Sequence, residues 1–166
     1  RRGWRSFITA PCVRVPVTLT LGDRAVTVRT DRGGYLDHRV TRHDFPAGWH
    51  TVTAQTEQSP PADRPVLIVA SDAEFGLVSD IDDTILTTWL PRPMVAAWNS
   101  FVRDESNRQS IPGMARFYHR FLETHPGAPL VYLSTGAWNT YDFLNRFIEQ
   151  HRYPKGPLLL TDWGPT

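Results

Sequence analysis

The chain has 166 residues, room for one ordinary domain or two small ones, and 40% hydrophobic with 21% charged residues is the composition of a folded, water-facing protein. A formal net charge of +1 supplies no global field for nucleic acid, and the single cysteine, Cys12, excludes a disulfide within the chain. No apolar run approaches the roughly 18 residues of a membrane-spanning helix.

The first third reads as antiparallel β. VPVTLTL (15–21) and AVTVRT (25–30) alternate in two-residue steps on either side of a turn at Gly22. DRGG (31–34) is a second turn, YLDHRV follows, and PAGWHTVTAQT adds a last turn and strand. SPPADRP (59–65) breaks the pattern and reads as a boundary, giving a small β-rich domain over 1–65 and a second domain over 66–166. Charge divides along the same line. Residues 1–66 carry 10 basic and 6 acidic side chains, a net of +4, and residues 67–166 carry 8 and 11, a net of −3. The basic part suits an anionic surface, and one cysteine suits a reducing compartment. The expectation is a cytoplasmic protein with peripheral contact to anionic membrane and no nucleic-acid partner.

Beyond residue 65 the pattern changes. VLIVA and FGLVSD are short continuous apolar runs, as in strands covered on both faces. GMARFYHRFLETH carries Met114, Phe117, Tyr118, Phe121 and Leu122 on one helical stripe. LVYLS is another buried strand. NTYDFLNRFIEQH predicts a helix capped by Asn139 and answered by Asp142, and GPLLLTD predicts a third strand. Alternating strands and helices imply a parallel sheet with right-handed crossovers, and sites in such sheets lie beyond the carboxyl ends of the strands. Asp80, Ser134 and Asp162 fall at such ends.

FGLVSDIDDTILTT places three aspartates in four positions directly behind an apolar strand. In an extended strand Asp80 and Asp82 face the same side, roughly 7 Å apart, with Ile81 turned back into the protein. At an effective dielectric near 20 they repel by roughly 2 kcal/mol, enough to let one hold a proton more readily. One ionised and one protonated carboxylate supply a nucleophile and a general acid. An isolated Asp-x-Asp is ordinarily a turn or a helix cap. A calcium loop fails on spacing, because Ile85 and Pro91 stand where it needs glycine and glutamate. The six histidines show no zinc spacing, and neither a Walker loop nor Gly-x-Ser-x-Gly is present.

DIDDT resembles the Asp-x-Asp-x-Thr motif of the haloacid dehalogenase superfamily of phosphatases, and VYLSTGAWN resembles its second motif. GLVSDIDDTI, YLSTGAWN and YPKGPLLLTDWGP, with DRGGY and PAGWH upstream, are together similar to the actin-patch-type phosphatidate phosphatase family in its bacterial form. The resemblance implies a Rossmann-like, haloacid dehalogenase-type α/β sheet preceded by the small antiparallel β domain. It implies an enzyme, a magnesium-dependent phosphomonoester hydrolase that converts phosphatidate to diacylglycerol and phosphate. Asp80 would be the nucleophile and Asp82 the acid and base. Mg2+ would bind the Asp80 carboxylate and the Asp82 main-chain carbonyl. Thr84 would hold the turn, and Ser134, Thr135 and Gly136 would bind phosphate oxygens. Asp83 has no role in the pattern and reads as a supporting residue or turn former.

The family pattern continues to a third motif with Lys or Arg and a fourth with acidic metal ligands. Lys155, the single lysine, and Asp162 are poor matches to them. The expectation is therefore an incomplete and inactive piece of a phosphatase domain. Trp89, Leu90, Met94, Trp98 and Phe101, just after the first motif, suit either a packed helix stripe or a substrate cap. Two rival functions stay open: a phosphatase of soluble or protein phosphoesters, and a binding module carrying a degenerate phosphatase domain.

Overall fold

The computed structural model describes residues 11–40, 44–87 and 109–161. The chain forms two compact units that part between Ser71 and Asp72.

The first unit is a four-stranded antiparallel sheet of β1 (Pro16–Leu21), β2 (Arg24–Arg29), β3 (Gly48–Gln55) and β4 (Ala62–Ile68), in the order β2-β1-β3-β4. Alternation sorts its two faces. Val17 opposes Val28, and Leu19 lies between Val26 and Ala54, building an apolar face. Thr18 and Thr27 oppose each other on the other face, with hydroxyls 3.1 Å apart. Gly22, at φ +60°, supplies the left-handed backbone of the β1–β2 turn. YLDHRV forms no strand.

The Pro-rich stretch 59–65 does not end this sheet. β4 begins inside it at Ala62 and pairs with β3, Ala62 opposite Ala54 and Ile68 opposite Gly48. VLIVA, expected as a buried strand of the second unit, thus supplies the end of an antiparallel edge strand. Pro65 is tolerated because an edge strand has one side with no ladder to complete. Its composition suggested a break, and its position at the sheet edge explains why none occurs.

The second unit is parallel α/β. β5 (Leu77–Asp80), α1 (Met114–Thr124), β6 (Leu130–Ala137), α2 (Tyr141–Gln150) and β7 (Leu158–Thr161) follow one another, and the sheet order is β5-β6-β7. Leu77 aligns with Leu130, Asp80 with Leu133 and Ser134 with Leu160. One face of the sheet and both helices make a single core, with Leu130, Tyr132, Leu158 and Leu160 against Tyr118, Phe143, Phe147 and Ile148. Among the described residues the other face carries Val78, Leu133 and Leu159 at 63%, 40% and 51% exposure. Among the described residues, cover is therefore seen on one face, where both helices pack.

Tyr118 is the buried member of the α1 stripe; Met114 and Leu122 pack beside the core, and Phe117 stays 55% exposed. The N-cap of α2 falls at Thr140, one residue beyond the position expected. A 3-10 turn over Trp138–Thr140 precedes α2, and Thr140 takes the capping position. The Thr140 hydroxyl donates to the Ala137 carbonyl at 2.7 Å. Among the described residues no helix is long and apolar enough to cross a membrane.

Candidate active site

The motif DIDDTIL sorts its residues by polarity at the carboxyl end of β5. Ile81, Ile85 and Leu86 are fully buried and pin the loop to the core. The Ile81 amide donates to the Leu133 carbonyl at 3.0 Å, one step beyond the strand. The Ile81 carbonyl then accepts from the amides of Thr84, Ile85 and Leu86 at 3.3, 3.1 and 3.2 Å. The Asp83 amide donates to the Leu86 carbonyl at 2.8 Å, and Asp83 sits at φ +59°. Aspartate is among the few residues that enter this left-handed region readily. Asp83 is thus a turn former, and the turn needs its backbone more than its charge.

Strand geometry stops at Asp80. Asp82 already belongs to the turn closed on Ile81. Ile81 does face inward as expected. Asp80 is exposed at the last position of β5, beside Leu133 of β6. Asp82 is half-buried and reaches the neighbouring strand, where the Ser134 hydroxyl donates to its Oδ2 at 3.0 Å. That bond fixes the Asp82 carboxyl oxygen against β6.

Ser134 is buried, and its oxygen also accepts the Gly136 amide at 2.9 Å. Strand pairing between β6 and β7 slips between Ser134 and Ala137, a bulge that frees the backbone to curl over the serine. A Cβ at Gly136 would stand 3.1 Å from the Ser134 hydroxyl and 3.2 Å from that of Thr140, so this close approach suits glycine. Asp82, Ser134 and Gly136 therefore form one hydrogen-bonded group. Thr135 is exposed, and its carbonyl accepts from the Thr161 hydroxyl at 2.6 Å. Thr84 is half-buried within the turn. Lys155 is exposed, in the stretch that leads to β7. Asp162 and the residues Trp89, Leu90, Met94, Trp98 and Phe101 lie outside the described residues.

Hydroxyl side chains beneath the loop were not singled out from the sequence. Ser79, buried in β5, donates to the Asp80 carbonyl at 2.7 Å. A serine inside an apolar strand, one residue before the first aspartate, was the available signal. Two tyrosines below it are held neutral. Burial pushes the Tyr132 phenol well above its ordinary range, with further help from Tyr118 and Tyr153 nearby. Burial likewise raises Tyr153, against a lowering hydrogen bond from Ser110.

Among the described residues no three His, Cys, Asp or Glu side chains gather as a ready metal site. The acidic oxygens present at the loop are those of Asp80, Asp82 and Asp83. None of the curated proteins compared with the chain matches it. Residues 75–166, which run from β5 through the loop, Ser134 and β7, match the family described as phosphatidate phosphatase APP1, catalytic domain, and the chain belongs to that family.

Proposed function

We propose that this chain carries the first two motifs of a magnesium-dependent phosphatidate phosphatase that works through an aspartyl phosphate on Asp80, its activity being read on the full-length protein. The observation that carries the reading is the 3.0 Å bond from Ser134 to Asp82, which joins the two motif-bearing strand ends inside the family-matched region. The parallel sheet β5-β6-β7 is read as part of a haloacid dehalogenase-type fold, in which catalytic groups gather where these two strands end.

The donor set suits magnesium. Mg2+ is a hard cation that takes one or two carboxylates, keeps several waters and shares the substrate phosphate. An exposed Asp80 carboxylate and the Asp82 main-chain carbonyl meet that need without a cage of side chains. When bound, the ion supplies the positive charge that lets an anionic nucleophile approach an anionic phosphate.

In the first step an Asp80 carboxylate oxygen forms a bond to phosphorus as the bond to the lipid alkoxide breaks. The protonated Asp82 carboxyl gives its proton to that alkoxide, releasing diacylglycerol. In the second step the Asp82 carboxylate takes a proton from water, whose oxygen attacks phosphorus. The Asp80–phosphate bond breaks, and both carboxyls return to their starting states. Ser134 serves both stages. Its proton rests on Asp82 while that group is charged, and turns to a phosphate oxygen when Asp82 carries its own proton. Gly136 keeps the serine oxygen in place throughout. Thr84 would hold the turn, and Thr135 would bind a phosphate oxygen.

A lipid substrate brings the enzyme to a membrane surface, and the net +4 of residues 1–66 suits an anionic one. The test is phosphate release from phosphatidate in mixed micelles and from glycerol 3-phosphate, each with magnesium and with chelator. The reading expects magnesium-dependent release that favours the lipid. Equal or greater release from the soluble ester would assign the same chemistry to a soluble substrate.

A further inference from the structure

A line of buried hydroxyls grips the catalytic loop from below at both of its ends. Ser79 gives its one proton to the Asp80 carbonyl at 2.7 Å, so the Tyr118 phenol, 2.6 Å from the serine oxygen, is the donor in that contact. Tyr118 comes from α1, 39 residues further along the chain. At the far end of the loop Tyr153 donates to the Ile85 carbonyl at 3.0 Å. With its proton committed there, Tyr153 accepts from the Ser110 hydroxyl, also at 3.0 Å. The two phenol rings meet edge to face, 5.8 Å between centroids. Both tyrosines and Ser79 are buried, and the bonds Ser79–Tyr118 and Tyr153–Ile85 lie in the interior.

Packing alone does not ask for these hydroxyls. Phenylalanine fills the same space as tyrosine, and a buried hydroxyl costs free energy unless it is bonded. What the hydroxyls add is direction at two carbonyls, one in Asp80 itself and one just past the DIDDT turn. The loop between them carries Asp82 to Ser134. We propose that Tyr118 and Tyr153 are positioning residues, which set the geometry of the loop from Asp80 to Leu86 and so hold Asp80 and Asp82 ready for phosphoryl transfer. The proposal deepens the phosphatase reading above and rests on it for its kinetic consequence. A displacement of about 1 Å at a reacting group costs on the order of a hundredfold in rate, so a loosened loop lowers kcat while leaving substrate affinity in place.

The test compares Tyr118→Phe, Tyr153→Phe and the double variant with the wild-type protein. Ser110→Ala, at a half-buried position, is a milder break of the same chain should a tyrosine variant fold poorly. Two readouts are taken on each folded variant: kcat and KM for magnesium-dependent phosphate release, and amide hydrogen exchange in peptides covering residues 80–87. The expected result is a kcat reduced roughly ten- to a hundredfold, a KM within about threefold of wild type, and faster exchange confined to that loop. A lower melting temperature with wild-type kcat and wild-type loop exchange would overturn the proposal and leave the tyrosines as packing residues. The exchange readout is independent of chemistry. If Asp80→Asn proves as active as wild type, the aspartyl-phosphate reading falls, and loop exchange alone still decides whether the tyrosines position the loop.

Discussion

Ser134 and Asp82 lie 52 positions apart in sequence, yet the serine hydroxyl donates to the aspartate carboxylate at 3.0 Å. One bond ties the loop after β5 to the bulge in β6. Ser134→Ala removes the donor that fixes the Asp82 carboxyl against β6. A hydrogen bond to a charged group contributes about 1.5–3 kcal/mol, so kcat is expected to fall roughly ten- to a hundredfold. Ser134→Thr keeps a hydroxyl and should recover much of the loss. The kcat of the two variants checks both effects; an alanine variant with wild-type rate would remove Ser134 from the mechanism.

Asp83 separates backbone need from charge. At φ +59° it occupies a region that costs most L-residues roughly 1–2 kcal/mol. Asp83→Gly and Asp83→Asn should stay close to wild type in stability. Asp83→Val should lose about that amount, because a β-branched side chain resists this backbone most. Urea unfolding of the three variants decides it, and equal stability of valine and glycine would contradict the assignment.

Gly156 lies where the chain passes β6 on its way into β7. A Cβ there would stand 2.5 Å from the Leu130 carbonyl oxygen and 3.0 Å from the Tyr132 ring. Neither neighbour moves freely, since Leu130 and Tyr132 are buried strand residues and the Tyr132 phenol donates to the Pro154 carbonyl at 2.8 Å. Gly156→Ala should destabilise by about 1–3 kcal/mol, the usual cost of overpacking. Wild-type stability would show that the stretch before β7 yields easily.

The buried tyrosines predict alkaline sensitivity. Tyr132 and Tyr153 have their phenols raised above the ordinary value of 10.0 by burial. Below about pH 10 both are neutral folded or unfolded, and stability does not depend on them. Above it the unfolded chain ionises while the folded one keeps its protons, so stability falls as pH rises. Denaturant unfolding at pH 8, 10 and 11 should show a flat region and then a decline. Tyr132→Phe should shrink the decline, and an unchanged slope in that variant would contradict the cause.

Much of this was legible in the sequence because alternation and apolar runs record which face is buried. VPVTLTL, AVTVRT, LVYLS and the α1 stripe each appear as strand or helix where the pattern places them. The tie between the two motifs follows from their positions at neighbouring strand ends. VLIVA was misplaced because an apolar run does not say which sheet it joins; pairing with β3 decides that, through contacts distant in sequence. The turn that carries Asp82 was not legible for a related reason. A strand pattern does not announce where extension stops, and here three amides converging on the Ile81 carbonyl end it. The Tyr118 hydroxyl was hidden because tyrosine on a helical stripe reads as an apolar surface, and those of Ser79 and Tyr153 because such a bond becomes visible only with its partner.

The central claim is that Asp80 becomes phosphorylated, and the most direct measurement is to trap that intermediate. The protein is mixed with phosphatidate and magnesium and quenched in acid within a turnover. The acyl phosphate is then reduced with borohydride, and the peptide containing residues 75–88 is read by mass spectrometry. The account predicts modification at Asp80 in the wild-type protein and none in Asp80→Asn. It predicts that Asp82→Asn, which loses the acid of the first step and the base of the second, slows turnover about 10²- to 10⁴-fold. Rapid phosphate release with no modification at Asp80, or wild-type release by Asp80→Asn, would contradict it.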